Sequence, residues 1–199
     1  MLSKLYLKDL SNLSFPFIQH TDKFIFIKQL LAVLFISFLI VTTGHATQWR
    51  DELPNAKILG SVDFNFFGFK IYNAKLWSET SPLDMTKPFA LDLTYNHRVS
   101  RKLLVKIVIY EIKRLNTAEI PTSKIQDWQV KLMIAFPDVS QDDELIGVFL
   151  PSQGFRTYNK RGLIADIRDI ELARYFFAVW LDENAKGNIL RSKLLGLTP

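Results

Sequence analysis

Residues 57–77 alternate between two sets of side chains. Ile58, Gly60, Val62, Phe64 and Phe66 fall on one side, and Leu59, Ser61, Asp63, Asn65 and Phe67 on the other. Side chains that alternate with a period of two line opposite faces of a strand, so this run reads as a half-buried strand. Gly68 interrupts it. A second run then sets Phe69, Ile71, Asn73, Lys75 and Trp77 against Lys70, Tyr72, Ala74 and Leu76. A glycine between two such runs marks a hairpin or a bulge. A lone hairpin is barely stable in water, so the chain needs further strands and a cover for its apolar face.

The rest of the sequence supplies both. After a loop at 78–88 with two prolines, residues 89–95 form a third strand with Phe89, Leu91, Leu93 and Tyr95 on one face. The period then changes. Behind Ser100, a good N-cap, Leu104, Ile107, Val108, Ile112 and Leu115 recur at three- and four-residue steps, with Lys102, Lys106 and Lys113 outside them. A second helix at 121–136 enters through Pro121, buries Ile125, Trp128, Leu132 and Phe136, and stops at Pro137. Short strands follow at 145–150, 155–159 and 163–167, joined by turns at 151–154 and 160–162. Asp169 caps a helix carrying Leu172, Ala173, Phe176, Phe177 and Trp180, and an amphipathic stretch at 188–195 closes the chain. Strands, two helices, strands and a helix, in that order, predict an α+β fold: an antiparallel sheet with helices packed on one face and the other face more polar.

The first 46 residues are of another kind. Lys4, Lys8, Lys23 and Lys28 precede an uncharged apolar run at 30–41, and Gly44 and Ala46 fill the −3 and −1 positions of a cleavage site. This is the order of a secretory signal, with cleavage before Thr47. The run is shorter than the ~20 residues of a spanning helix; its longer than usual flank leaves an uncleaved anchor as the alternative. Residues 47–199 then form a single exported domain, most simply periplasmic, entered through a polar arm at 47–55.

Composition excludes several chemistries. The chain has no cysteine, hence no disulfide, thiolate metal site or thiol nucleophile. His20 and His45 lie in the leader, so His97 alone cannot make a histidine metal cluster, and it has no nucleophile-elbow motif beside it. No metal or cofactor is expected. The formal charge of +5 includes four lysines and two acids from the leader, so the remainder is only mildly basic, without a basic tract, and nucleic acid is not an expected partner. Membrane contact is expected only through an uncleaved leader. The run Asp142, Asp143, Glu144 reads as a solvated turn.

Two features stay open between structure and function. Phe64, Phe66, Phe67 and Phe69 in one hairpin, with Phe176, Phe177 and Trp180, are either core or the lining of an apolar pocket. Tyr95 and Arg98 stand where the third strand hands over to the helix at Ser100. An arginine near a helix N-terminus can receive a carboxylate, or simply pair with a nearby acid.

Four segments carry a resemblance: residues 68–77 (GFKIYNAKLW), 88–95 (PFALDLTY), 135–139 (AFPDV) and 176–182 (FFAVWLD). Their order and spacing resemble the bacterial, exported branch of the chalcone-isomerase-like family, over residues 57–196. The resemblance implies an antiparallel sheet with layered helices and a cleft between. It also implies two family activities: closure of a chalcone to a flavanone, or binding of fatty acids without catalysis. The isomerase pattern uses an arginine on an early strand, a threonine on the next and a tyrosine at the following helix start. Here no arginine occurs in 58–63, Lys70 stands near the threonine position and Leu103 near the tyrosine position. The leading expectation is a non-catalytic domain binding a small apolar carboxylate such as a fatty acid, with Arg98, Tyr95 and Lys70 as head-group candidates. The alternatives are an intramolecular lyase acting on a chalcone-like enone, and a structural or interaction module of the cell envelope.

Overall fold

The structure, a computed structural model, describes residues 48–66, 68–116, 118–185 and 188–197. The expected leader and Phe67 lie outside the described residues. Six strands form one sheet there: β1 (Lys57–Phe66), β2 (Phe69–Ser78), β3 (Phe89–Tyr95), β4 (Glu144–Leu150), β5 (Gly154–Asn159) and β6 (Gly162–Ile167). They lie in sequence order, each antiparallel to its neighbour. The helices are α1 (Trp49–Glu52), α2 (Arg101–Leu115), α3 (Thr122–Ala135), α4 (Ile170–Leu181) and α5 (Asn188–Leu194). Short turns join the strands except between β2 and β3, which a loop at 79–88 connects, and between β3 and β4, where α2 and α3 intervene. The α+β architecture read from the sequence is the observed one.

One face of the sheet, the inner face, carries the main core. The alternation in β3 places Phe89, Leu91, Leu93 and Tyr95 there, all buried, with Leu76, Leu145, Phe149 and Phe155 from neighbouring strands. Against them α2 buries Leu104, Val105, Val108, Ile109 and Ile112. The Ser100 hydroxyl caps α2 by accepting the Leu103 amide N–H at 3.3 Å. Ile107, read as part of this stripe, instead points outward at 47% exposure. Helix α3 buries Ile125, Trp128 and Leu132 as expected, and its C-terminal carbonyl on Ala135 accepts the buried Thr157 hydroxyl at 2.8 Å. Helix α4 is apolar on most sides because it lies under the other helices and over β4 and β5. Its Asp169 cap accepts the Leu172 amide at 2.9 Å.

Two bulges change the predicted faces of the first hairpin. Ile58 pairs with Trp77 while Gly60 pairs with Leu76, so Leu59 is the extra residue. Leu59 therefore packs on the inner core and Ile58 is left outside. The sheet-edge strand β1 is covered by α5. A Cβ on Gly60 would stand 1.9 Å from the Lys193 carbonyl oxygen, so only glycine allows this approach.

The outer face is not bare. The segment read as a polar arm contains α1, whose Trp49, with Leu53, packs on Ala90, Ile146, Val148, Leu150 and Tyr158. Strands β3 and β4 are thus buried on both faces over their middle. The Arg50 guanidinium lies 4.3 Å from the Trp49 ring and 4.4 Å from the Trp77 ring. Glu52 ion-pairs with Arg156 and accepts the Tyr158 hydroxyl at 3.0 Å. These polar contacts pin a helix too short to be stable alone.

Candidate functional site

The fold places the three head-group candidates in different surroundings. Tyr95 is on the inner face, 3% exposed, with its ring edge-on to Tyr72 at 5.8 Å. Burial raises its phenol far above the ordinary value, and Tyr72 adds to the shift. Tyr72 is pushed up to about 12, chiefly by burial, although the Trp180 indole N–H donates to its oxygen at 3.1 Å. Both phenols are therefore neutral hydrogen-bonding groups at ordinary pH. Lys70 leaves this cluster at the second bulge: Phe64 pairs with Tyr72 and Asn65 with Lys70, so Ile71 is extra. Lys70 then pairs with Asp63 at 2.9 Å, and Asp63 also accepts from Asn73 at 2.7 Å. The Lys70 contact, first among the causes, holds the Asp63 carboxyl below its usual range. Arg98 is exposed, beside the exposed ring pair of His97 and Phe69.

The start of α2, where the sequence left open a carboxylate ligand or a nearby acid, has acceptors from the protein itself. Asp138 accepts the Arg101 amide N–H at 2.7 Å, and the Ser100 hydroxyl accepts the Leu103 amide N–H at 3.3 Å. The backbone bridge between Val99 and Val139 brings Asp138 to this position. The acidic run is a turn, in which Asp143 accepts the Ser140 amide at 2.8 Å.

The interior between sheet and helices is packed by aromatic rings. Phe176 stacks on Phe155 at 5.0 Å and meets Phe177 edge-on at 4.9 Å. Phe177 meets Phe89 and Phe149 edge-on, and Trp180 continues the row from Phe176. Edge-on and stacked rings at these separations fill the space where a cleft was expected. Of the two readings left open for Phe176, Phe177 and Trp180, core packing is the one realised. In the first hairpin, Phe64 stacks on Tyr72 at 4.9 Å, and Phe69 is 66% exposed.

A recess of another kind runs outside, between α2 and α3. It is an open groove of about 460 Å3. Val105, Ile109 and Met133 give it an apolar floor, and Lys102, Lys106 and Lys113 stand along the α2 side with Tyr110. The helical period explains the arrangement. Lysines four and seven residues apart share one flank of α2, next to the flank that carries the buried stripe. The sequence did show these lysines outside the buried set; what it lacked was α3 as the second wall. Apolar area beneath several ammonium groups suits an amphiphile with an anionic head.

No protein-family model matches the chain. An uncharacterized protein of Haemophilus influenzae is 28% identical over 141 residues, which cover 70% of this chain and 68% of that protein. The crystal structure of an Arabidopsis thaliana fatty-acid binding protein superposes with a TM-score of 0.55 at 9% identity, covering 72% of this chain and 88% of the other. That neighbour has the chalcone-isomerase-like fold, and this chain shares the fold.

Proposed function

We propose that this chain is an exported, non-catalytic member of the chalcone-isomerase-like family that binds a small apolar carboxylate, such as a fatty acid, in the α2–α3 groove. One observation carries the reading: an apolar floor of Val105, Ile109 and Met133 lies beside Lys102, Lys106 and Lys113. The groove volume of about 460 Å3 lies within the ~300–1,000 Å3 range of small-molecule sites. The floor would take the chain of the ligand and the ammonium groups its carboxylate. A fatty-acid binding protein among the neighbours of the same fold supports this choice of ligand. The head group is assigned to the lysines rather than to Arg98, Tyr95 and Lys70, whose surroundings differ as described. Export rests on the leader at residues 1–46.

A non-catalytic role is supported by the residues at the enzyme positions. No arginine stands in 58–63, Lys70 is engaged by Asp63 on the outer face, and Leu103 is an exposed apolar residue of α2. Closure of an enone needs a donor set aimed at the developing oxyanion, and none of these three positions supplies one.

Titration with a fluorescent fatty acid in vesicle-free buffer tests the reading. Saturable one-to-one binding is expected, weakened at least tenfold by Lys106→Glu. Absence of saturable binding, or binding that Lys102→Glu and Lys106→Glu both leave intact, would sink it. Sequencing of the exported protein from its N-terminus should begin at Thr47; a start at Met1 would make the leader an anchor.

A further inference from the structure

The exposed residues of α2 have an unusual composition. They are Arg101, Lys102, Leu103, Lys106, Ile107, Tyr110, Lys113 and Arg114: five cations, three large apolar or aromatic groups, and no acid. The helix's acid, Glu111, is buried and paired with Arg114 at 2.6 Å. Leu103 and Ile107 are each 47% exposed and Tyr110 58%, and steps of four and three put them on one ridge. On α3, Val130 and Ile134 are 61% and 60% exposed, each next in sequence to a groove-lining residue, Gln129 or Met133, and the exposed acid one turn earlier, Asp127, is paired with Lys131 at 2.6 Å. Two apolar ridges therefore flank a lysine-lined groove. The exposed residues of α4 differ: Ile170, Glu171 and Arg174 mix both signs with one apolar group.

We infer that the α2–α3 face docks on an anionic lipid surface, with the ridges entering the headgroup boundary and the lysines meeting lipid phosphates. Charge complementarity selects this occupant. A helix with cations beside exposed large apolar residues is the pattern of interfacial helices, which lie in the membrane plane. Anionic headgroups attract each lysine within a Debye length, while the apolar ridges add burial that water-soluble anions cannot offer. A second copy of this chain is a poor occupant, because a two-fold interface would press the same five cations together. The uncharged run at residues 30–41 offers nothing to the lysines. This contact is additional to the one expected through the leader, and it does not require the groove to hold a fatty acid.

The cysteine-free chain allows a direct test, because one introduced thiol is unique. The full chain carrying Ile107→Cys is labelled with a polarity-sensitive fluorophore and mixed with vesicles. A control label sits at Ser152→Cys in the exposed β4–β5 turn. A several-fold rise and blue shift of emission is expected at residue 107 with phosphatidylglycerol-containing vesicles. No change is expected with phosphatidylcholine alone, and none at residue 152 with either. The apparent affinity should fall roughly fivefold for each of Lys102, Lys106 and Lys113 replaced by Gln, and collapse in about 1 M salt. No rise at residue 107 with anionic vesicles overturns the inference. So does an equal rise with neutral vesicles, which would assign the signal to an anchored leader. So does a rise without vesicles, which would mean that protein covers the face. A label brings probe without charge, so loss of folding is checked by circular dichroism, and Leu103→Cys repeats the measurement if Ile107→Cys fails to fold. The vesicle-free titration separates the two proposals: a chain that docks on vesicles but ignores monomeric fatty acid keeps this one and loses the other.

Discussion

On the inner side of the sheet, Phe89, Phe149 and Phe155 meet Phe176 and Phe177 from a twelve-residue helix backed by two more. On the outer side, Ala90, Ile146 and Val148 of the same strands meet Trp49 and Leu53 from a segment built on one helical turn. The strands contribute to both faces by plain alternation, so the difference lies in what covers them. The inner cover is locked by its neighbours. The outer cover is a strap held by Arg50 between two indoles and by Glu52 on Arg156 and Tyr158. An inner side chain cannot leave without a cavity, whereas the short strap, held at few points, is expected to open locally before the sheet does.

The sharpest test removes one ring from each side. Phe177 is fully buried and touches rings from β3, β4, β5 and α4. Phe177→Ala should cost ~4 kcal/mol in urea unfolding, the upper range for truncating a buried aromatic residue. Trp49→Ala should cost about 2 kcal/mol, because the strap yields before the sheet does. Hydrogen exchange should then quicken at the amides of α1 while those of α4 keep their protection. Equal losses for the two variants would make both faces one cooperative unit and break the comparison.

A smaller effect separates two carboxylates. Asp169, at the start of α4, feels burial that raises its pKa, but the Leu172 amide, Lys131 at 2.8 Å and the Trp128 indole at 3.2 Å together bring it below its usual value. Its stabilisation is complete above the unfolded carboxylate value of ~4 and is lost as pH falls through the lower folded value. Asp92, under the strap, shows the reverse. Burial, the largest cause, raises its pKa against the pull of Lys75. The Trp77 indole N–H lies near enough to Asp92 to pull the pKa down a little, yet neither its nitrogen nor the Asp92 Oδ1, both buried, has a partner at full hydrogen-bond geometry among the described residues. The folded state therefore holds the Asp92 proton more tightly than the unfolded chain does. Stability from this group is present below pH ~4 and lost as pH rises through the raised value. Thermal melts from pH 3 to 7 should show Asp169→Asn losing about 1 kcal/mol at neutral pH and Asp92→Asn gaining up to ~1 kcal/mol there. Both differences should shrink toward acid. A gain for Asp169→Asn at pH 7 would remove the contrast.

The inner face was largely legible because β3, α3 and α4 obey one period throughout. Alternation needs no context when every second residue, as at Phe89, Leu91, Leu93 and Tyr95, is large and apolar. The bulges at Leu59 and Ile71 were not legible, since one extra residue leaves no chemical mark and reverses every assignment beyond it. That reversal moved Ile58 out of the core and Lys70 onto the outer face. Trp49 and Leu53, four residues apart, were the available sign of the strap, hidden among Gln48, Arg50, Asp51 and Glu52. On α2, Leu103, Ile107 and Tyr110 have helical spacing as good as Leu104, Val108 and Ile112. Periodicity cannot choose between two apolar stripes on one helix; the partner helices do.

Gly60 sets an order in time. The first strand waits there for the carbonyls of Lys193 and Leu194, which come more than a hundred residues later in the sequence. A ribosome adding ~5–20 residues per second delivers the strand many seconds before its cover. The hairpins can pair from local contacts, but the leading edge closes only through this contact of long sequence separation, so it belongs to the last part of folding.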